Sequence, residues 1–507
     1  MNLEVSHFDG YKGNTDNIRS ERAVCGYFDR RGDGVVEYID FLKSKEIITK
    51  ASGFDIETDK LNPNEFEWQK DVTRWALKKG KACLFEDCGL GKTIQQLSFA
   101  DALVKKYNRP VLILSPLAVA VQTVREGAKF GINVNLVRDQ HDVINGINVT
   151  NYELLHKING DFVGIVLDES SILKNQDGKT KRALIEKFKN TEYKLCCTAT
   201  PAPNDFTEIG NHAEFLGIMT QAEMLSTFFV HDGGNTSSWR LKGHAKAKFY
   251  EWIASWACCL TSPADLGYDN TGYILPKLNI HEITVKSNDL EDTDGQMMLM
   301  AETCLSLNER RKARNDSLED RVKAAAEIAN NADGQVLVWC DLNRESEELT
   351  KAISHAVEVK GADTDEHKRE SMIGFSKGEI KVLVSKPKIA GWGMNWQNCN
   401  KVIFVGLSDS FESYYQAVRR CWRFGQKNEV DVYIITSEKE GAVKENIERK
   451  QRDAQKMTAE LVKYTKDILK SDIKSTVRMS EAYYAFEKII VPDWIRSETN
   501  ERKTSVC

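Results

Sequence analysis

Residues 83–93, CLFEDCGLGKT, constrain this chain more than any other stretch. The apolar run from Ala82 to Phe85 has the continuity of a buried strand. Gly89 and Gly91 break it, and Lys92 and Thr93 open a segment with Ile94, Leu97, Ala100 and Val104 at helical spacing. Strand, glycine loop and helix start, in that order, form the context of a phosphate-binding loop. Glycines let backbone N–H groups approach phosphates, and the helix N-terminus adds a partial positive charge. Lys92 would reach β- and γ-phosphates, and Thr93 would hold Mg²⁺. The full pattern has Gly six residues before Lys92, where this chain has Glu86.

Further apolar runs follow. Val111 to Leu114 ends at Ser115-Pro116, Val163 to Leu167 at Asp168-Glu169, and Leu195 to Cys197 at Thr198-Ala199-Thr200-Pro201. Continuous apolar runs separated by helical segments predict strands buried on both faces of a parallel sheet. Ligands bind at the carboxyl ends of such strands. The glycine loop, Ser115, Asp168-Glu169 and Thr198/Thr200 all fall there. A carboxylate beside the loop predicts Asp168 as a Mg²⁺ ligand, with Glu169 orienting or deprotonating an attacking water. The alternative is an exposed pair of turn acids. Upstream, Trp68, Val72, Trp75 and Ala76 recur at helical spacing, with Gln69 on the other face. Its amide either meets an adenine edge, as donor and acceptor, or lies on the surface.

A second series runs from about 320 to 450, with predicted strands Val336 to Cys340, Val382 to Ser385, Val402 to Val405 and Val432 to Thr436. It has no phosphate loop, but carries GWGMN (391–395) and YYQAVRRCWRFGQ (414–426). Arg420 and Arg423, on a predicted helix, point the same way. Such a pair is either solvated surface or, facing an ATP site, a set of fingers worth about 10³–10⁵ in rate. An α/β chain with two parallel-sheet domains is predicted. Residues 1–55 are an N-terminal segment, 56–280 a first domain with a helical extension, 281–320 a linker, 321–450 a second domain and 451–507 a helical tail.

Composition narrows the classes. The 507 residues, 41% apolar and 29% charged, suffice for two or three domains. No run approaches the roughly 18 apolar residues of a membrane span, and Met1 to Ser20 is too polar for a signal peptide. A cytoplasmic protein without a membrane partner is expected. The 12 cysteines include Cys196-Cys197 and Cys258-Cys259 but no C-x-x-C, and the 9 histidines are scattered. Buried reduced thiols are expected rather than zinc or disulfides. With a net charge of −5, any nucleic-acid surface must be a local basic groove.

Asp29 to Asp40 shares Asp33 and Gly34 with a calcium loop, but Arg31 and Asp40 replace two of its ligands. A turn and a helix over 35–48 are expected instead. Residues 205–275 are mostly helical and aromatic, with a loop at 231–246. His231, Asp232 and His244 match no standard metal spacing. Residues 286–300 read as a linker, 308–315 as a basic cluster and 483–494 as an apolar patch docked on a domain.

The ordered set EFEWQ, CGLGKT, LILSPLAV, VTNYELL, VLDES, CTATPAP, GWGMNW and QAVRRCWRFGQ resembles superfamily 2 helicases and translocases. The ending Q-x-x-x-R-x-x-R-x-G-Q is most similar to their chromatin-remodeller-like (switch/sucrose-non-fermenting) branch, and the compact size to versions encoded by bacteriophages and prophages. The resemblance covers about residues 60–440. It implies two RecA-like domains with ATP and Mg²⁺ between them, and DNA, read as duplex, tracked across both. By motif, Gln69 contacts adenine, Gly89, Gly91, Lys92 and Thr93 hold phosphates, and Asp168 and Glu169 serve Mg²⁺ and water. Thr198 and Thr200 couple the domains, and Gln416, Arg420 and Arg423 complete the site. Ser115, Thr150, Asn151, Gly391, Gly393 and Asn395 lie along the nucleic acid. The acid motif reads DESS rather than DEAH or DEAD, and SKPKIAGWG is one residue longer than usual. An RNA helicase and an ATP-gated clamp that does not move remain the alternatives.

Overall fold

The structure, a computed structural model, describes residues 49–174, 178–232, 235–285, 314–390, 394–408, 410–438 and 441–474. The calcium-like turn, the helix expected over 35–48, the linker 286–300, most of the basic cluster 308–315 and the patch 483–494 lie outside these residues.

Each apolar run of the first half forms a parallel strand. They are β1 (Lys81–Glu86), β2 (Val111–Ser115), β3 (Val134–Leu136), β4 (Ile147–Asn151), β5 (Gly164–Asp168) and β6 (Tyr193–Thr198). A hairpin of β7 (Phe229–Asp232) and β8 (Asn235–Leu241) precedes β9 (Ala257–Leu260). The sheet order is β3-β4-β2-β5-β6-β1-β9. Alternate side chains point to opposite faces, so both faces must be covered. Cys83, Phe85, Ile165 and Leu167 pack with Leu184, Ile209, Phe215 and Trp252. On the other face Ala82, Leu84 and Val166 pack with Trp68, Val72, Leu97 and Phe99.

The second sheet is also parallel, in the order β10-β15-β14-β11-β13-β12. Its strands are β10 (Leu278–Val285), β11 (Val336–Trp339), β12 (Ala356–Val359), β13 (Val382–Ser385), β14 (Lys401–Val405) and β15 (Val430–Ser437). The fold is thus two RecA-like α/β domains. Among the described residues no helix is long and apolar enough to cross a membrane.

The structure departs from expectation in four places. Residues 281–285 belong to an edge strand rather than a linker, because Leu278–Val285 pairs along its whole length with Val430–Ser437. The loop expected at 231–246 contains β8, whose Trp239 and Leu241 pack against the first core. Arg420 and Arg423 are not helical. The helix Phe411–Val418 stops before them, and the chain turns as Arg420 C=O accepts from Trp396 N (2.9 Å) and Gln426 Nε2 donates to Cys399 O and Cys421 O. Finally, the C-terminal helix Gly441–Lys474 is not a separate tail, because it runs from the second domain back to the first. Val443 and Ile447 sit in the second core, whereas Met457 and Leu461 sit in the first. Glu460 accepts from Lys246 Nζ (3.1 Å) and the Tyr250 hydroxyl (2.7 Å), which holds that return.

One buried ion pair anchors the second domain. Arg321 and Glu345 are both fully buried, with Nη1 2.8 Å from Oε1. Arg321 Nε also donates to Ser317 Oγ (3.1 Å), and Glu345 Oε2 accepts from the Asp341 and Leu342 amides at 2.9 Å each. Removing one partner strands the other charge in the core. Glu345→Ala is therefore expected to destabilise this domain by about 3–5 kcal/mol, read as a lower urea midpoint at unchanged slope. A loss below about 1 kcal/mol would show that solvent reaches the pair.

Candidate active site

The carboxyl ends of β4, β2, β5, β6 and β1 lie side by side and carry Asn151, Ser115, Asp168, Thr198 and Glu86. The loop after β1 turns with Gly89 at φ +93° and Gly91 at φ +80°, where L-residues are strained. A side chain would also crowd its neighbours. A Cβ on Gly91 would lie 2.4 Å from Gln69 Nε2, and one on Gly89 3.1 Å from the Phe424 amide of the second domain. Gly91 caps the helix Lys92–Tyr107, so the loop's amides and the helix N-terminus converge.

Lys92 Nζ donates to the carbonyls of Glu86 (2.8 Å) and Asp87 (3.1 Å). Burial alone would lower its pKa, but Cys88, Glu169, Glu86 and Asp87 hold the ammonium above its usual value. Asp168 accepts from Gln96 Nε2 (2.7 Å), and burial still raises its carboxyl above the ordinary range. Glu169 stands in the left-handed region at φ +52°. Burial, then the Asp168 charge, pushes it up to about 7, against the pull of Lys92 and Arg420. Its Oε2 has no hydrogen-bond partner among the described residues. Glu169 thus combines a strained backbone with an unpartnered carboxylate oxygen at a cleft. Glu86, at the position where a glycine was absent, is fully buried, accepts from Gln95 Nε2 (2.8 Å) and is pushed up to about 7 by burial.

Lys92, Asp168 and Glu169 border a cleft of about 490 Å³ between the domains, which Thr93 and Gln69 also line. From the second domain come Gln416, Arg420 and Arg423. Arg420 Nη2 donates to Gln416 Oε1 (3.1 Å) and Nη1 to Met394 O (3.1 Å). Burial lowers its pKa, and the Arg423 guanidinium is brought to about 10 by burial and by Arg420. Crowded guanidiniums facing carboxylates and a lysine form a place for a polyanion. Hard oxygen donors from Thr93 and Asp168 suit a divalent cation beside it. The donor set, the glycine cradle and the unpartnered Glu169 oxygen fit a nucleoside triphosphate with its metal.

Gln69 is buried rather than on the surface. Its Oε1 accepts from Phe66 N (2.9 Å) and its Nε2 donates to Leu90 O (2.8 Å). One N–H and one lone pair remain for a base edge. Thr198 Oγ1 accepts from Thr200 N (3.1 Å), and Thr200 Oγ1 donates across the domains to Glu412 Oε1 (3.3 Å).

The residues expected along nucleic acid are not gathered on a surface. Ser115 and Thr150 are buried, and their hydroxyls have no partner among the described residues. Asn151 is also buried, and its Oδ1 caps a short helix by accepting from Leu154 N (3.0 Å). Asn395 lines the cleft between the domains instead. Gly391 and Gly393 lie outside the described residues. Asp87, Glu412, Tyr415 and Arg419 went unnoticed in the sequence, yet they join the domains. The last three recur at i, i+3 and i+7 along one helix and its C-cap, a spacing visible in the sequence but silent about its partner.

Fold and cleft together give two parallel-sheet α/β domains that share a cleft edged by a glycine loop. Residues 68–229 match the SNF2-related domain, and residues 319–425 match the helicase conserved C-terminal domain. Among curated proteins, the chain is similar to the Xenopus laevis SWI/SNF-related matrix-associated actin-dependent regulator of chromatin subfamily A-like protein 1. They are 28% identical over 155 residues, which is 28% of this chain and 16% of that protein. It is also similar to the Gallus gallus chromodomain-helicase-DNA-binding protein 1, at 29% over 167 residues, covering 27% of this chain and 10% of the relative. A solved Sulfolobus solfataricus SWI2/SNF2 ATPase core in complex with dsDNA shares 17% identity and a TM-score of 0.39, covering 84% of this chain and all of that one.

Proposed function

We propose that this chain is a nucleic-acid-stimulated ATPase that couples hydrolysis between its domains to movement along DNA, as a translocase or helicase. One observation carries the reading: Arg420 of the second domain shares a cleft with Lys92, Asp168 and Glu169 of the first. A site divided in this way turns domain closure into a condition for chemistry.

On this reading Lys92 leaves the Glu86 and Asp87 carbonyls for the phosphates, and the amides of the glycine loop cradle them. Thr93 and Asp168 would hold Mg²⁺, which when bound neutralises charge on the phosphate oxygens. Glu169 orients the attacking water and takes its proton, as a raised carboxyl near 7 is suited to do. Arg420 and Arg423 meet the charge on the transferred phosphoryl. Gln69 meets the base edge, and Thr198 with Thr200 passes closure on to Glu412. Duplex DNA is favoured as partner by the Q-x-x-x-R-x-x-R-x-G-Q ending, with Ser115, Thr150, Asn151 and the 391–395 loop near its path. The compact layout is read as bacteriophage or prophage type, acting in the host cytoplasm.

ATPase measured alone and with duplex DNA, single-stranded DNA and RNA tests this proposal. Duplex DNA is expected to give the largest stimulation. Its binding should ignore base sequence and fall steeply with salt, because phosphates supply the contacts. Preferential stimulation by RNA would make the chain an RNA helicase. ATP binding without hydrolysis would make it a clamp.

A further inference from the structure

Four polar residues of the helix Phe411–Val418 and the turn after it face the first domain, at i, i+3, i+4 and i+7. Glu412 accepts from Thr200 Oγ1 (3.3 Å) and forms an ion pair with Lys174. Gln416 Oε1 lies 3.7 Å from Cys88 Sγ. The tightest contact is on Asp87, inside the glycine loop's entry. Arg419 Nη2 lies 2.9 Å from Asp87 Oδ2 and also donates to the Cys88 carbonyl, while the Tyr415 hydroxyl donates to Asp87 Oδ1. Arg419 is nearly buried, with its guanidinium over Trp422 (5.1 Å) and Tyr415 (5.8 Å).

We propose that Asp87, Arg419 and Tyr415 form a latch that positions the phosphate loop against the second domain, so that the neighbouring Arg420 stands at the reacting phosphoryl. The proposal rests on the ATPase reading above. None of the three residues need touch the reacting atoms. Asp87 also offers its carbonyl to Lys92, so the residue gripped from the second domain is the one beneath the lysine. Arg419 adjoins Arg420 in the turn that ends the helix, so a grip on Arg419 limits how far Arg420 can move. A displacement of about 1 Å at a reacting group costs about 10²-fold in rate, and a latch one residue away is placed to prevent it. These are positioning residues.

Steady-state ATPase of the full chain with duplex DNA tests the latch. Asp87→Ala and Arg419→Ala should each lower kcat by about 10- to 100-fold, with KM for ATP within about threefold. The two combined should be no worse than the poorer single variant, because they share one interaction. Arg419→Lys should recover part of the loss, since an ammonium still meets Asp87. Losses that multiply in the double variant, or kcat unchanged in both singles, would overturn the latch.

Should the alanine variants fail to fold, Tyr415→Phe, which deletes one oxygen, decides. About a 3- to 10-fold fall in kcat is expected, and none overturns the proposal. Hydrogen exchange on the nucleotide-free chain adds a readout free of catalysis: Arg419→Ala should speed exchange at residues 87–91. A wild-type chain that hydrolyses no ATP would overturn the motor reading and the positioning role with it, and exchange would then report domain docking alone.

Discussion

Arg420→Ala is expected to reduce DNA-stimulated ATP turnover by about 10³-fold or more while ATP affinity changes little. Its guanidinium comes from a domain with no phosphate loop among the described residues, yet it shares the cleft with Lys92 and both carboxylates. A charge that meets the transition state more strongly than the ground state acts on kcat. The side chain is held by Gln416 Oε1 and Met394 O, so its direction is set before nucleotide arrives. Lysine should rescue poorly, because a point charge cannot reproduce the planar fork that makes both contacts. A solvated arginine would predict unchanged kinetics. Single-turnover measurements on Arg420→Ala and Arg420→Lys distinguish the two, and wild-type rates would end the claim.

Glu169→Gln should leave ATP bound and turnover about 10²–10⁴-fold slower, because an amide cannot take a proton from water. The geometry makes this substitution clean. Glutamine is isosteric, and the buried Oε2 it replaces has no partner among the described residues whose loss would disturb the fold. Burial and Asp168 both disfavour the charged carboxylate, so neutralising it also relieves repulsion. Glu169→Gln is therefore expected to unfold at equal or higher temperature at pH 8, where wild-type Glu169 is ionised. Loss of activity with gain of stability would identify a group kept for chemistry. Wild-type turnover by the glutamine variant would remove Glu169 from the mechanism.

The division between what was legible in the sequence and what was not has a physical cause. Strands buried on both faces must be apolar throughout, so Val111–Ser115 and Val382–Ser385 were readable, and with them the parallel class. The residues at their carboxyl ends could then be named, because chain order carries them to one edge. Lys92, Thr93, Asp168 and Glu169 needed nothing more. Edge strand β10 is not legible because its residues are half-buried or exposed throughout, and only Val430–Ser437 beside it makes it a strand. Arg420 and Arg423 were read as helical because their spacing permits it. Bonds from Trp396 and Gln426, distant in sequence or side-chain in origin, ended the helix first.

The sequence by itself determined the two α/β halves, the glycine loop after β1 and the acid pair at the end of β5, since each depends on neighbours in the chain or on strand ends. The tertiary structure alone decided which side chains are buried at those ends, so that Ser115 and Thr150 face inward and Gln69 clamps the loop. It alone brought Arg419 and Tyr415 to Asp87, more than 300 residues away. A hydrogen bond between domains has no local pattern to announce it, because its free energy depends on a distance that only the packed fold sets.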